Sequence, residues 1–137
     1  MSGDERKRCE AMVVDTGVLV DVLRGESRAA DYILGVQGSI RVSRLTVMEL
    51  IKGAKSMVEL NKLMRQLKAL GPVEVVEVDG EISVVAGEIF SQYWFSQSLG
   101  IIDSFIGATA MVRGEELVTK NSRHFRGIPR LDLIVPY

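Results

Sequence analysis

Asp15, Glu49 and Asp103 are three carboxylates spread over most of the chain, and Asn121 adds a side-chain amide beyond them. Oxygen donors of this kind, with no His or Cys among them, suit a hard divalent ion such as Mg²⁺ or Mn²⁺. Three like charges brought together repel, and each tends to protonate or move apart unless a cation neutralises them. An ion held there would polarise a phosphate and make water more acidic, which yields a nucleophile at neutral pH. Carboxylate clusters of this sort commonly hydrolyse phosphodiesters, although spacing alone does not name the substrate. Other chemistries have fewer residues to draw on. Cys9 is the one cysteine and His124 the one histidine. That excludes a disulfide framework, Cys-based or His-rich zinc centres and a Ser–His–Asp triad built away from His124.

Each acidic residue also has a local reading. Asp15, in Asp15-Thr16-Gly17, serves equally as the cap of the following helix. On a helical wheel Glu49 falls near Thr46, Lys52 and Gly53, away from Val47 and Ile51, and alone it reads as a solvated surface carboxylate. Asp103 suits the negative charge preferred at a helix N-terminus, and Asn121 and Ser122 are ordinary turn residues. What joins them is where the surrounding elements put them.

Short β-branched or alternating runs predict strands over 12–14, 40–43, 73–78, 116–119 and 131–135. Apolar residues at helical spacing predict helices over 18–23, 29–34, 45–54, 57–70, 80–98 and 101–112. Gly71-Pro72 stops one helix, Asp79 can cap the next and Gly100 closes it. Strands alternating with helices predict a three-layer α/β/α sandwich with a mostly parallel sheet and right-handed crossovers. Ligands bind such sheets outside the carboxyl ends of the strands. Asp15 ends the first strand and Glu49 lies in the first turns of the helix after the second. Asp103 opens the helix leading into the fourth strand, and Asn121 follows that strand. All four therefore converge on one rim.

With 137 residues the chain is long enough for one domain and too short for two of ordinary size. Its 17 Lys and Arg against 18 Asp and Glu exclude a strongly basic nucleic-acid binder, while leaving room for an enzyme that touches nucleic acid over a small footprint. A charged fraction of 26% beside 47% hydrophobic residues excludes a disordered chain. No apolar run approaches the ~20 residues of a membrane span, and the charged start has no apolar stretch behind it, so a reduced, cytoplasmic home is expected. Residues 1–11 read as a polar lead-in, either a flexible tail or an over-extended start, and 12–137 as the domain.

The segment Val13-Val14-Asp15-Thr16-Gly17-Val18-Leu19-Val20-Asp21 resembles the opening motif of PIN-domain ribonucleases. The run from Val42 through Glu49 to Gly53 looks like their second motif, the run from Gly100 through Asp103 to Ala110 their third, and Leu117-Val118-Thr119-Lys120-Asn121 their fourth. The order and distances match over nearly the whole chain, and the compact size is most similar to VapC-type toxins. The resemblance implies a five-stranded parallel sheet, Mg²⁺- or Mn²⁺-dependent RNA cleavage, frequent homodimers, and a small antitoxin whose C-terminal segment lies across the cleft. By motif it makes Asp15, Glu49 and Asp103 metal ligands and Thr119 a hydroxyl near the site. Asn121 stands where Asp is common, which implies a weaker second metal site. Gly17 replaces a small polar residue that would hydrogen-bond the first carboxylate or its water. His124 also stands where Asp is common; it either approaches RNA or the metal cluster, or is a loop histidine without a special task.

An all-acidic centre repels RNA, so cations must offset it. Arg24, Lys52, Lys120, Arg123 and Arg126 fall near the carboxyl edge, and Lys52, Lys120 and Arg123 are the leading candidates to hold phosphates. Scattered solubilising charge is the alternative for each. Two apolar features, the stripe Met57, Leu60, Met64, Leu67 and the trio Tyr93-Trp94-Phe95, read either as core or as a dimer interface or antitoxin groove. A receiver-like phospho-switch module fits the same architecture, but the first strand ends in a single carboxylate and no middle strand delivers a phosphoacceptor Asp, since Asp79 reads as a cap. A PIN-like scaffold without catalysis is disfavoured by the retained Asp15, Glu49 and Asp103. A metal-dependent endoribonuclease, as a toxin, is the expectation.

Overall fold

The computed structural model describes residues 11–36 and 38–137. The lead-in expected over 1–11 therefore lies, apart from Ala11, outside the described residues. Five strands, β1 (Met12–Val14), β2 (Ile40–Ser43), β3 (Val73–Val76), β4 (Glu116–Val118) and β5 (Leu133–Ile134), form one sheet in the order β3-β2-β1-β4-β5. Every neighbouring pair is parallel. The chain thus builds outward from β1 on one side, then crosses to β4 and β5 on the other. That reversal creates a crevice at the carboxyl ends of β1 and β4, the usual ligand position in an open α/β sheet.

Seven helices are described: α1 (Thr16–Leu23), α2 (Ser27–Gly35), α3 (Arg44–Gly53), α4 (Met57–Ala69), α5 (Gly80–Gln97), α6 (Ile101–Arg113) and α7 (Ser122–Phe125). Successive strand residues point to opposite faces. Val13, Val76 and Leu117 accordingly pack with Ile82, Ala86 and Ile89 of α5 and Ile106 and Ala110 of α6. Val14, Val42 and Val118 pack with Val18 and Leu19 of α1, Ile33 of α2, Leu50 of α3 and Leu67 of α4. Both faces are covered, which explains why the strands read as apolar runs.

One close approach matters for the site. A Cβ on Gly107 of α6 would stand 3.3 Å from Phe125 Cε1 and 3.5 Å from Ile89 Cδ1. The bare backbone lets Phe125 dock between α5 and α6, where it is fully buried, and this seats α7 beside the end of β4.

Four local expectations change. The third strand stops at Val76, and the last shrinks to Leu133–Ile134. Arg130 takes a left-handed φ of 64°, so the chain turns there and the strand starts later. The turn expected at Asn121-Ser122 is a four-residue helix, too short to show a periodicity. The Met57-to-Leu67 stripe is split: Leu67 is buried and Met57 exposed. Among the described residues no helix is long and apolar enough to cross a membrane.

Candidate active site

Asp15 is the first residue after β1 and the N-cap of α1. Its Oδ1 accepts the Thr16 backbone N–H at 2.8 Å and its Oδ2 accepts the Thr119 hydroxyl at 2.7 Å. Cap and site are therefore one arrangement: one oxygen closes the helix while the other is held from β4. Thr119 is fully buried and its oxygen also accepts the Asn121 backbone N–H at 3.0 Å, which fixes the loop after β4 to Asp15.

Glu49 arrives from a second direction. Ser43 ends β2 and caps α3, its hydroxyl accepting the Leu45 N–H at 3.1 Å. One turn on, Thr46 is fully buried, and a further turn presents Glu49 at the rim, half-buried. The Thr16 hydroxyl donates to Glu49 Oε1 at 2.7 Å and lies 2.9 Å from Thr46 Oγ1. Thr16 thus binds two carboxylates, Asp15 through its backbone and Glu49 through its side chain. Glu49 is tethered rather than free in solvent, as it reads when taken alone. Sequence reasoning missed Thr16; the signal was Thr46, which shares Glu49's side of the wheel.

Asp103 sits in the first turn of α6, half-buried. Burial raises its pKa, the neighbouring Glu49 charge adds to that, and the His124 charge and a Gly100 backbone hydrogen bond oppose it. Burial likewise pushes Asp15 up to about 6; the charges of Asp103 and Glu49 push the same way, against the hydrogen bonds from Thr119 and Thr16. Asp15 thus feels both of the other carboxylates, and Asp103 feels Glu49. Among the described residues, none of the three forms an ion pair with Lys or Arg.

The donor set, carboxylate oxygens backed by hydroxyls, has the chemistry of a hard-ion site. Among the described residues no three of the His, Cys, Asp and Glu side chains are drawn together as a complete ion cage. Mg²⁺ does not require one, because it is usually held by one or two carboxylates and completed by water and phosphate oxygens.

The neighbouring residues sort unequally. Lys120 is committed to Asp21, Nζ to Oδ2 at 2.7 Å, and Tyr137 donates its hydroxyl to the same oxygen. Lys52 and Arg123 are exposed and, among the described residues, without an ion pair. A Cβ on Gly17 would lie 3.4 Å from Lys120 Cε, so this glycine leaves the lysine stem its place. His124 is close enough to Asp103 for its charge to act there, and its Nδ1 is buried without a hydrogen bond among the described residues. Gln97 Nε2 donates to the carbonyls of His124 and Arg126, both at 2.8 Å, and so ties α5 to this loop. Glu49 and Asp103 also line an open groove with Phe90, Trp94 and Ile101.

A family model for the PIN domain matches residues 12–131. Ribonuclease VapC19 of Mycobacterium tuberculosis is 33% identical over 129 residues, spanning 91% of this chain and 98% of its own. Ribonuclease VapC1 of Methanocaldococcus jannaschii is 27% identical over 126 residues, 89% of this chain and 84% of its own. Among solved structures, a chain of a toxin–antitoxin complex from Klebsiella pneumoniae superposes with a TM-score of 0.75 at 27% identity, covering 92% of this chain and 98% of that one. VapBC2 from Rickettsia felis, bound to a DNA fragment from its promoter, gives 0.73 at 21% identity, over 90% and 97%, and speaks for the fold alone.

Proposed function

This chain belongs to the PIN-domain family, and from that premise we propose that it is a metal-dependent endoribonuclease acting as the toxin of a toxin–antitoxin pair. The observation that carries the reading is the double hold of Thr16 on Asp15 and Glu49, which keeps two carboxylates from separate strand ends on one rim. Asp15, Glu49 and Asp103 would hold Mg²⁺ or Mn²⁺. When bound, such an ion supplies neutralisation of the phosphate charge and acidification of water.

The protein's own groups do the rest. Thr119 and the Thr16 N–H fix the Asp15 oxygens, so no side-chain reorganisation is needed as charge develops. Asn121, anchored by its backbone to Thr119, offers a neutral amide to a phosphate oxygen where a fourth carboxylate would repel it. Lys52 and Arg123 hold flanking phosphates of RNA, which positions the strand without reading its sequence. Lys120 contributes less, because Asp21 holds it.

A cognate antitoxin and a homodimer complete the proposal, together with a cytoplasmic site of action. The antitoxin draws support from the ribonuclease relatives and from the solved toxin–antitoxin complex. Exposed Met57 and Val58 at the start of α4 give a second copy an apolar patch. The receiver-like alternative loses ground: Asp79 caps α5, accepting the Ile82 N–H at 2.8 Å, and does not end a middle strand.

The test is RNA cleavage with and without Mn²⁺ by the wild type beside Asp15→Asn and Asp103→Asn. Cleavage that needs the ion and both carboxylates supports the proposal. Cleavage that persists in both variants, or none under any ion, rejects it.

A further inference from the structure

Trp94 occupies an unusual place for a large aromatic residue. It lies near the end of α5, one turn after Phe90, and the two rings stack with centroids 5.7 Å apart and an interplanar angle of 26°. Phe90 thereby fixes the orientation of the indole, yet Trp94 remains 45% exposed. The same two rings line the open groove of about 650 Å³ that Glu49 and Asp103 also line. Ile101, 60% exposed, extends the apolar floor.

No Lys or Arg is among the residues lining this groove. It therefore presents a phosphate with no cationic side chain, and its two carboxylates oppose an anion that no metal ion screens. What it offers is a flat, pre-oriented π surface directly beside the carboxylates. We propose that Trp94, backed by Phe90, is a stacking platform for an unpaired nucleobase next to the phosphate under attack, which makes it a positioning residue for the RNA strand. A nucleobase is flat and uncharged, and it is reachable by such a platform only outside a duplex. A strand laid over the groove places its base on the indole and keeps its phosphates toward the exposed cations of the rim. This assignment rests on the ribonuclease reading and sharpens it.

Trp94 is the single tryptophan of the chain, so its fluorescence reports this one place. The experiment titrates the Asp15→Asn variant, disarmed for cleavage, with a fluorescently end-labelled single-stranded oligoribonucleotide. An abasic strand of equal length and a duplex are titrated in parallel, and binding is followed independently by anisotropy of the label. The platform predicts quenching of Trp94 by the single strand only. It further predicts that Trp94→Leu weakens binding about tenfold, that Trp94→Phe recovers part of this, and that neither changes the salt slope. Equal quenching by the abasic strand overturns the proposal. So does an RNA that binds by anisotropy and leaves Trp94 unchanged, which would give the groove to a protein partner. Absence of any binding by anisotropy rejects the ribonuclease reading itself, and is thereby distinguished from failure of the platform alone.

Discussion

The two ends of the central sheet treat charge in opposite ways. At the amino end, Arg41 of β2 faces Glu74 of β3 at 3.1 Å and Glu115, just before β4, at 2.8 Å. The second is an ion pair whose direction does not make a hydrogen bond at Arg41 Nε. Arg113, at the end of α6, completes the group, 3.8 Å from Glu74 and 3.5 Å from Glu115. Among the described residues two acids and two bases are matched there, and Glu115 is only 10% exposed. At the carboxyl end, Asp15, Glu49 and Asp103 stand along one rim without a paired Lys or Arg among the described residues, and two of them have raised pKa values. At the amino end the nearly buried Glu115 is neutralised by two arginines. At the rim, neutral hydroxyls from Thr16 and Thr119 orient the carboxylates and leave their charge for something else.

The contrast can be broken from either end. The largest effect is expected at the acidic rim: Asp15→Asn should lower RNA cleavage on the order of 10²–10³-fold, measured as initial rate in Mn²⁺, with the fold retained. At the other end, Arg41→Met should leave cleavage at permissive temperature near the wild-type rate but cost on the order of 1–3 kcal/mol of stability in urea unfolding, because it strips the nearly buried Glu115 of one of its two arginines. A variant that loses activity and keeps stability would reverse the assignment of the two ends.

Stability against pH sharpens the comparison. Asp15 has a folded pKa of about 6 against 3.8 for the free side chain, so the folded state binds the proton more tightly. Its contribution is therefore most favourable below about pH 4, declines as pH rises toward 6, and is unfavourable above that. In the absence of divalent ions, Asp15→Asn should remove this decline and be the more stable protein at neutral pH, by at most about 3 kcal/mol. Equal pH dependence in the two proteins would mean that Asp15 is solvated.

Thr16→Val should reduce cleavage roughly 10–100-fold by freeing Glu49, while Thr16→Ser, which keeps the hydroxyl, should recover most of it. The smallest change is expected for Lys120→Ala, whose amine is occupied by Asp21: a weaker RNA affinity with the salt slope lowered by less than about one. A full unit of slope would show that Lys120 leaves Asp21 to hold a phosphate.

The acidic rim was legible because its logic is topological. Once the strands were recognised, Asp15, Glu49, Asp103 and Asn121 had to fall at one edge, whatever their neighbours were doing. The hydroxyl framework was not legible in the same way, since the link from Thr16 to Glu49 joins residues 33 apart. It depends on α1 and α3 starting side by side. The amino-end network was hidden for a related reason. Arg41 is simply the charged member of an alternating strand until its register with Glu74 across the sheet is known. Likewise, α7 escaped because its position is set by Phe125 filling the space beside Gly107, a tertiary cause with no periodic trace.

The central claim is that the acids at the carboxyl end are left unneutralised because a divalent ion completes them. Thermal unfolding of the wild type and Asp15→Asn at pH 7.5, over a series of Mn²⁺ concentrations, tests it most directly. The account predicts that the wild-type midpoint climbs with Mn²⁺ as a ligand bound only by the folded state requires, while the variant starts higher and barely responds. Parallel curves for the two proteins, or a wild type indifferent to the ion, would contradict it.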